Sequence, residues 1–260
     1  MKIAAAVEYD GAQYFGWQAQ PGAPNVQERV EHALSVVADH DVRVVCAGRT
    51  DTGVHALGQV IHFETSAERT ARSWVLGANV NAPPDIGFIW ASPVGDDFHA
   101  RFRARSRRYR YVISNRWVRP ALLRDKVCWE RKPLDATLMQ RAGRVLLGEH
   151  DFSSFRALAC QAKNPVRTIH ELEVSRQDDF VYIDVRANAF LHHMVRNIAG
   201  ALMAIGTGER PVAWARELLA VRDRTRGGVT ANAAGLYLVA VEYDPKYGVN
   251  LPERLPTLVP

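Results

Sequence analysis

Little in the chain ties it to a membrane, a metal or a redox cofactor. Cys46, Cys128 and Cys160 are its only cysteines, far apart in 260 residues and without a Cys-x-x-Cys among them. A disulfide framework or a thiolate zinc site needs paired spacing, so reduced thiols in a cytosolic protein are the expected state. No apolar run approaches the roughly 20 residues of a membrane helix. The opening Met1-Lys2-Ile3-Ala4-Ala5-Ala6-Val7-Glu8 has too short an apolar stretch for a secretory leader and reads as a strand. No His-Glu-x-x-His is present. Gly206-Thr207-Gly208-Glu209-Arg210 lacks the third glycine of a dinucleotide fingerprint, and no Walker lysine follows. Redox and nucleotide-triphosphate chemistry therefore have no visible seat. The most local absence is of acid: between Phe98 and Arg124 there are nine arginines and no Asp or Glu.

What is present suits one large domain or two packed subdomains. Hydrophobic residues make up 47% of the chain, enough for a sizeable core. The formal net charge is +5 and the pI near 9.3, a weak sign of a polyanionic partner. The placement of charge says more. Arg101, Arg103, Arg105 and Arg107 are two residues apart, and in an extended chain that spacing puts all four on one side. A solvated strand face usually mixes signs, so this stripe points to contact with phosphates.

Two stretches read as related α+β halves, residues 1–104 and 105–245, followed by a surface tail over 246–260. In the first half, Ile3 to Glu8, Arg43 to Cys46, Gly58 to Phe63 and Ile86 to Ala91 read as strands. Asn25 precedes an amphipathic helix, with Glu28 placed as in a capping box. A second helix is expected from Ala67 to Asn79. In the second half, Arg107 to Ser114 alternates, with Tyr109, Tyr111 and Ile113 on one face. A helix is expected from Ala136 to Leu147, and a hairpin from Ile169 to Arg176 and Phe180 to Asn188. Helices over Leu191 to Ile205 and Val212 to Ala220 and a last strand over Leu236 to Tyr243 complete the pattern. Neighbouring strands joined by short turns, with helices interspersed, predict an antiparallel sheet backed by helices.

Three places can carry chemistry. In Gly48-Arg49-Thr50-Asp51-Thr52-Gly53 two glycines bracket a polar turn that presents Asp51. An ordinary Asx turn is the bland alternative. The arginines around a lone carboxylate keep it ionised at neutral pH, which suits a nucleophile or base. On a helix, His192, Arg196 and Gly200 share one side. Adjacent His192 and His193 would diverge by roughly 100°, which disfavours a shared metal ion. Arg196 is either a surface residue or the cation that pairs with Asp51. Tyr109, among arginines, is either a half-buried sheet tyrosine or a platform for an unpaired base.

Five segments together resemble the tRNA pseudouridine synthase A family. They are Tyr9-Asp10-Gly11 with Phe15-Gly16-Trp17-Gln18; Gly48-Arg49-Thr50-Asp51 with Gly53-Val54-His55-Ala56; Arg107-Arg108-Tyr109-Arg110-Tyr111; Phe190-Leu191-His192-His193-Met194-Val195-Arg196-Asn197; and Gly235-Leu236-Tyr237-Leu238. They stand in the family's order across nearly the whole chain. The resemblance implies the pseudouridine synthase fold: two similar halves sharing a mixed, mainly antiparallel sheet flanked by helices, with a catalytic cleft between them. It implies conversion of uridine to pseudouridine at positions 38, 39 and 40 of the tRNA anticodon stem-loop, by a cytoplasmic homodimer without cofactor or metal. Asp51 would be the nucleophile and Arg49 would help flip the base. Tyr109 would stack on the uracil, Arg196 would pair with Asp51, and Leu236 would pack against the uracil. Thr52 and Asn232 depart from the family's usual alanine and proline, and the second puts in doubt how rigidly Leu236 is delivered. Competing readings are an RNA-binding module without catalysis and a pseudouridine synthase of different RNA range.

Overall fold

A computed structural model describes residues 1–249, Leu251 and Leu255. Most of the tail expected over 246–260 thus lies outside the described residues. The chain divides into two compact units, Met1–Ser106 with the segment from Tyr237, and Arg107–Leu236. Each is a sheet flanked by helices, so the α+β class read from the strand and helix pattern is observed. Among the described residues, no helix is long and apolar enough to cross a membrane.

The first unit is built on strands β1 (Lys2–Tyr9), β2 (Val45–Cys46), β3 (His55–Glu64) and β4 (Ile86–Val94) and helices α1 (Val26–Ala38) and α2 (Ala71–Asn81). β1 pairs antiparallel with β3 and β4. The last strand of the chain, here called the closing strand (Leu236–Glu242), returns to run parallel to β3 at Tyr237 and Leu238. It lies beside the start of β3, opposite His55 and Ala56, while β2 lies beside its end, opposite Ile61 and His62. Asn25 caps α1 by accepting the Glu28 N–H at 2.9 Å, at the predicted position. Helix α2 starts four residues later than expected. Thr70 caps it by accepting from the Ser73 N–H, and Thr65 Oγ1 turns the preceding chain by accepting from Ala67 N–H.

The second unit holds β5 (Ser106–Asn115), β6 (Cys128–Glu130), β7 (Gly148–Asp151), β8 (Val166–Gln177) and β9 (Phe180–Ala187), with the closing strand numbered β10. Its helices are α3 (Ala136–Gly143), α4 (Met194–Gly206) and α5 (Trp214–Val221). The order β5-β9-β8-β7 is antiparallel throughout, and β6 adds to β5 in parallel. β6 and β7 are not predicted from the sequence. They have three and four residues, too few for an alternation to show, and β7 (Gly-Glu-His-Asp) has no aliphatic residue. Helix α4 begins at Met194, not Leu191. His193 is left-handed (φ 62°) and Met194 N–H closes a turn onto the Leu191 carbonyl, so the apolar residues before it belong to a turn.

One buried histidine gives the first unit a pH dependence. His62 lies on β3, and its Nδ1 accepts the Ala100 N–H at 3.1 Å. Burial first, then the charges of His99 and Lys2, lowers its pKa to about 4 from the ordinary 6.5. Between those values the unfolded chain binds more protons than the folded one, so stability falls as pH falls from 6.5 towards 4. The urea midpoint is expected to drop across that window, and His62→Phe to flatten the drop. A variant with the wild-type pH slope would place the acid sensitivity in other groups.

Candidate active site

Asp51 sits on the loop that joins β2 to β3. β2 stops at Cys46, and Ala47 N–H makes a last hydrogen bond to the Val60 carbonyl at 2.8 Å. The chain then leaves the sheet and returns at His55. Glycine-bracketed loops are usually mobile, but this one is held from three directions. Gln59, fully buried on β3, reaches the loop's first turn: its Nε2 donates to the Gly48 carbonyl and its Oε1 accepts the Gly48 N–H. From β1, the Tyr9 hydroxyl meets Thr50 Oγ1 at 2.8 Å, directly before Asp51. From the segment after β1, Trp17 N–H donates to the Thr50 carbonyl at 3.0 Å, and Gly53 N–H donates to the Tyr14 carbonyl at 3.2 Å. Within the loop, Val54 N–H closes a turn onto the Asp51 carbonyl at 3.1 Å.

Two glycines let that segment approach so closely. A Cβ on Gly11 would lie 1.9 Å from the Val54 carbonyl oxygen; one on Gly16 would lie 2.7 Å from the Thr50 oxygen. Gly16 also has φ +93°, a conformation that side chains disfavour. The opening segment, Tyr9-Asp10-Gly11 and Phe15-Gly16-Trp17, thus has a physical role, which is to immobilise the Asp51 loop. The loop's far end is fixed by His55. The Nδ1 of that residue accepts the Gly11 N–H at 3.1 Å and lies 3.0 Å from the Asp10 carboxylate, and its ring stacks on Tyr237 at 4.7 Å. Tyr14 is anchored by its hydroxyl, which donates to Asp85 at 2.7 Å. Burial, and next that hydrogen bond, raises the Tyr14 pKa.

Asp51 is half-buried on this scaffold, and Arg49, two residues before it, is exposed. Cys46, two residues before the loop's first glycine, reports the local charge. Burial pushes its thiol up to about 12, against a weaker downward pull from the Arg49 and Arg101 charges. Cys46, Cys128 and Cys160 all carry free thiols.

Arg101, Arg103, Arg105 and Arg107 do not form the expected one-sided strand. β5 begins only at Ser106. Before it, His99 Nδ1 accepts the N–H groups of Arg101 and Phe102, and Arg103 N–H bonds the His99 carbonyl, which folds residues 99–103 into a turn. Arg101, Arg103 and Arg105 are exposed, and Arg105 pairs with Asp244. Arg107, on β5, donates to the Asn188 carbonyl at 2.9 Å.

In the second unit Tyr109 is buried on β5 with its ring edge-on to Phe190 at 5.0 Å. Tyr111 and Ile113 are buried on the same face, as the alternation predicts. On the opposite face Arg110 makes a two-point contact with Asp184 of β9. His192 and His193 precede α4, so the divergence expected of neighbours on a helix does not apply to them; their rings lie 4.1 Å apart. Arg196 is half-buried on the first turn of α4, and its Nε donates to the Ala231 carbonyl at 2.9 Å. The segment it grips leads to Leu236, itself 5% exposed. Asn232 does not loosen that segment. Its side chain accepts the Ala234 N–H as a cap, and its carbonyl accepts from the Tyr111 hydroxyl at 2.7 Å.

Asn197 is the residue of this half that motif reading names without a role. Buried on α4, it donates to the Phe155 carbonyl at 2.7 Å and accepts from Thr230 and Arg224 at 2.7 and 3.1 Å. Its partners are scattered along the chain, so spacing could not reveal the cluster. Asn197→Ala leaves three groups without that partner. At ~1 kcal/mol for each lost hydrogen bond the cost is about 3 kcal/mol, read as a lower urea midpoint with unchanged slope.

The comparisons with known proteins follow the same geography. A family model described as tRNA pseudouridine synthase matches residues 5–103 and 142–244. The chain belongs to the tRNA pseudouridine synthase family. A tRNA pseudouridine synthase A of Nitrosococcus oceani is 57% identical over 243 residues, covering 94% of each chain. One of Legionella pneumophila (strain Corby) is 55% identical over 249 residues, covering 96% of this chain and 95% of its own. One of Pseudomonas aeruginosa is 55% identical over 254 residues, covering 97% and 88%. The matched ranges contain the Asp51 loop in one and Arg196 and Leu236 in the other. Tyr109 falls between them.

Proposed function

We propose that the chain converts uridine to pseudouridine at positions 38, 39 and 40 of the tRNA anticodon stem-loop, as a cytoplasmic homodimer that needs neither cofactor nor metal. The observation that supports it best is the presentation of Asp51: a half-exposed carboxylate on a loop fixed at Gly48, Thr50, Gly53 and His55, with the exposed Arg49 two residues before it. Preorganisation of this kind matters when one group must meet a reacting atom at short range.

The reaction breaks the N1–C1′ bond and forms a C5–C1′ bond. A proton leaves C5 and N1 gains one, so atoms and electrons balance without an external reagent. An ionised carboxylate has three routes into this exchange: attack at C1′, addition at C6, or removal of the 2′ proton. In our reading Asp51 is that carboxylate. Arg49 helps turn the target base out of its stack, a step that costs a few kcal/mol. Tyr109 stacks on the uracil, Leu236 packs against it, and Arg196 is the cation assigned to the aspartate. Arg101, Arg103, Arg105 and Arg107 contact the RNA backbone.

The test is release of tritium from unmodified tRNA carrying 5-tritiated uridine, followed by site-resolved mapping of pseudouridine. Release with product at positions 38–40 is the expected result. An RNA-binding module would bind the same tRNA and release nothing. Product only at other positions, or only in rRNA, would replace the assigned substrate.

A further inference from the structure

Phe102 is an exposed aromatic that the fold goes out of its way to hold still. It is 75% exposed, in a turn of the first unit. Burial does not hold a ring this exposed, so what orders it is its neighbours in the turn. The His99 imidazole stacks on it at 4.3 Å and 29°. His99 is fixed in turn: its Nδ1 accepts the N–H groups of Arg101 and Phe102 at 3.2 Å, and its ring lies 4.7 Å from that of His62. The turn as a whole is pinned to β3 by the bond from Ala100 N–H to His62. With one face against His99, the ring owes its exposure to its other face and its edges.

The surroundings are cationic. The Arg101 guanidinium lies over the ring, 5.6 Å from its centroid, at the outer range of a cation–π contact. Arg103 is exposed, with its Nε donating to the Asp97 carbonyl at 3.1 Å. Of the nearest acids in sequence, Asp97 is answered by Lys246, which lies 3.5 Å from its carboxylate, and by the Tyr247 hydroxyl at 3.0 Å. The turn is also close to the candidate site. His62, which pins it, pairs on β3 with Val45 of β2, one residue before Cys46 and the Asp51 loop.

A rigid, outward-facing aromatic flanked by guanidinium groups is the arrangement that single-stranded nucleic acid recognises, because every base has a π-face and every nucleotide a phosphate. We propose that Phe102 is a stacking platform for an unpaired base of the RNA beside the reacting uridine, and that Arg101 contacts the phosphate of that nucleotide. This deepens the function proposed above and rests on it for the identity of the RNA. Phe102 is a positioning residue in this role, not a catalytic one.

The experiment compares wild type, Phe102→Ala, Phe102→Leu, Phe102→Trp and Arg101→Gln in pseudouridine formation on an unmodified tRNA transcript. Filter-binding Kd for the same tRNA is measured alongside. One base stack is worth ~1–3 kcal/mol, so Phe102→Ala is expected to raise KM and Kd about five- to hundred-fold, with kcat within a few-fold. Phe102→Trp should restore binding and Phe102→Leu should not, which separates stacking from apolar bulk. Arg101→Gln should reduce the slope of log Kd against log salt by about one. Wild-type KM and Kd in Phe102→Ala would overturn the proposal, and so would full rescue by leucine. A change in sedimentation mass with unchanged Kd would assign the ring to a protein contact and overturn it equally. If wild type binds tRNA but makes no pseudouridine, the proposed function fails, and the Kd series still decides this inference.

Discussion

Asp51→Ala is expected to abolish tritium release and pseudouridine formation, with a loss on the order of 10⁴-fold or more in kcat, while tRNA binding changes by only a few-fold. The size follows from the role. Removing the one group that attacks leaves no substitute, and such losses are far larger than those from removing a binding contact. Retained binding follows from the position. Asp51 is half-exposed at a loop tip, and the bonds that hold the loop use the backbone of Gly48, Thr50 and Gly53 and the Thr50 hydroxyl. Asp51→Asn keeps the shape and should be as inactive as the alanine variant, because an amide is neither a useful nucleophile nor a base. The measurement is single-turnover kinetics on tritiated tRNA, with Kd and a urea melt on the same preparations. Full activity in either variant would remove Asp51 from the chemistry.

The sequence exposes the parts of this machine that are written in neighbouring residues. The β5 alternation, the Asn25 cap and the glycine-bracketed Asp51 turn are all short-range patterns, and each is found where expected. The arginine run misled for the same reason. A spacing of two means one side only if the backbone is extended, and His99 folds residues 99–103 into a turn instead. Nothing local announces that, since a histidine that caps two N–H groups has the same letter as one in solvent. The supports of the Asp51 loop were also out of reach. Tyr9 to Thr50 spans 41 residues and Gly11 to His55 spans 44. Only the folded chain brings them together. Tyr9-Asp10-Gly11 and Phe15-Gly16-Trp17 stand in the sequence as a segment without an evident task. Their hydrogen bonds supply that task, which is to hold the Asp51 loop.

That task is tested by Gly16→Ala, a change of one methyl group at a residue with no titratable part in the reaction. The added Cβ would sit 2.7 Å from the Thr50 carbonyl oxygen, 3.2 Å from the Asp51 carbonyl carbon and 3.2 Å from the Thr52 nitrogen. All three are backbone atoms, so no side chain can swing aside. The residue must also keep φ near +93°, which costs an L-residue roughly 1–2 kcal/mol. Relief comes only by moving Thr50 and Asp51 away or by pulling Gly16 off. The second route stretches the Trp17 N–H bond to the Thr50 carbonyl, now 3.0 Å. Either way the carboxylate shifts by some tenths of an ångström. A misplacement near 1 Å can cost about 10²-fold in rate, so kcat should fall by about ten- to hundred-fold. KM for tRNA should hold, because the turn that carries Phe102 and its arginines is anchored separately, through His99 and His62. Gly11→Ala should be more severe, since its Cβ would fall 1.9 Å from the Val54 oxygen and its N–H is the one that His55 accepts. The decisive reading is the split between the constants. A matched loss in kcat and tRNA affinity would mean that the whole unit has loosened. A loss in kcat alone, with a urea midpoint lowered by no more than the roughly 1–2 kcal/mol of strain, would show that what the opening segment does for the reaction is to aim one carboxylate.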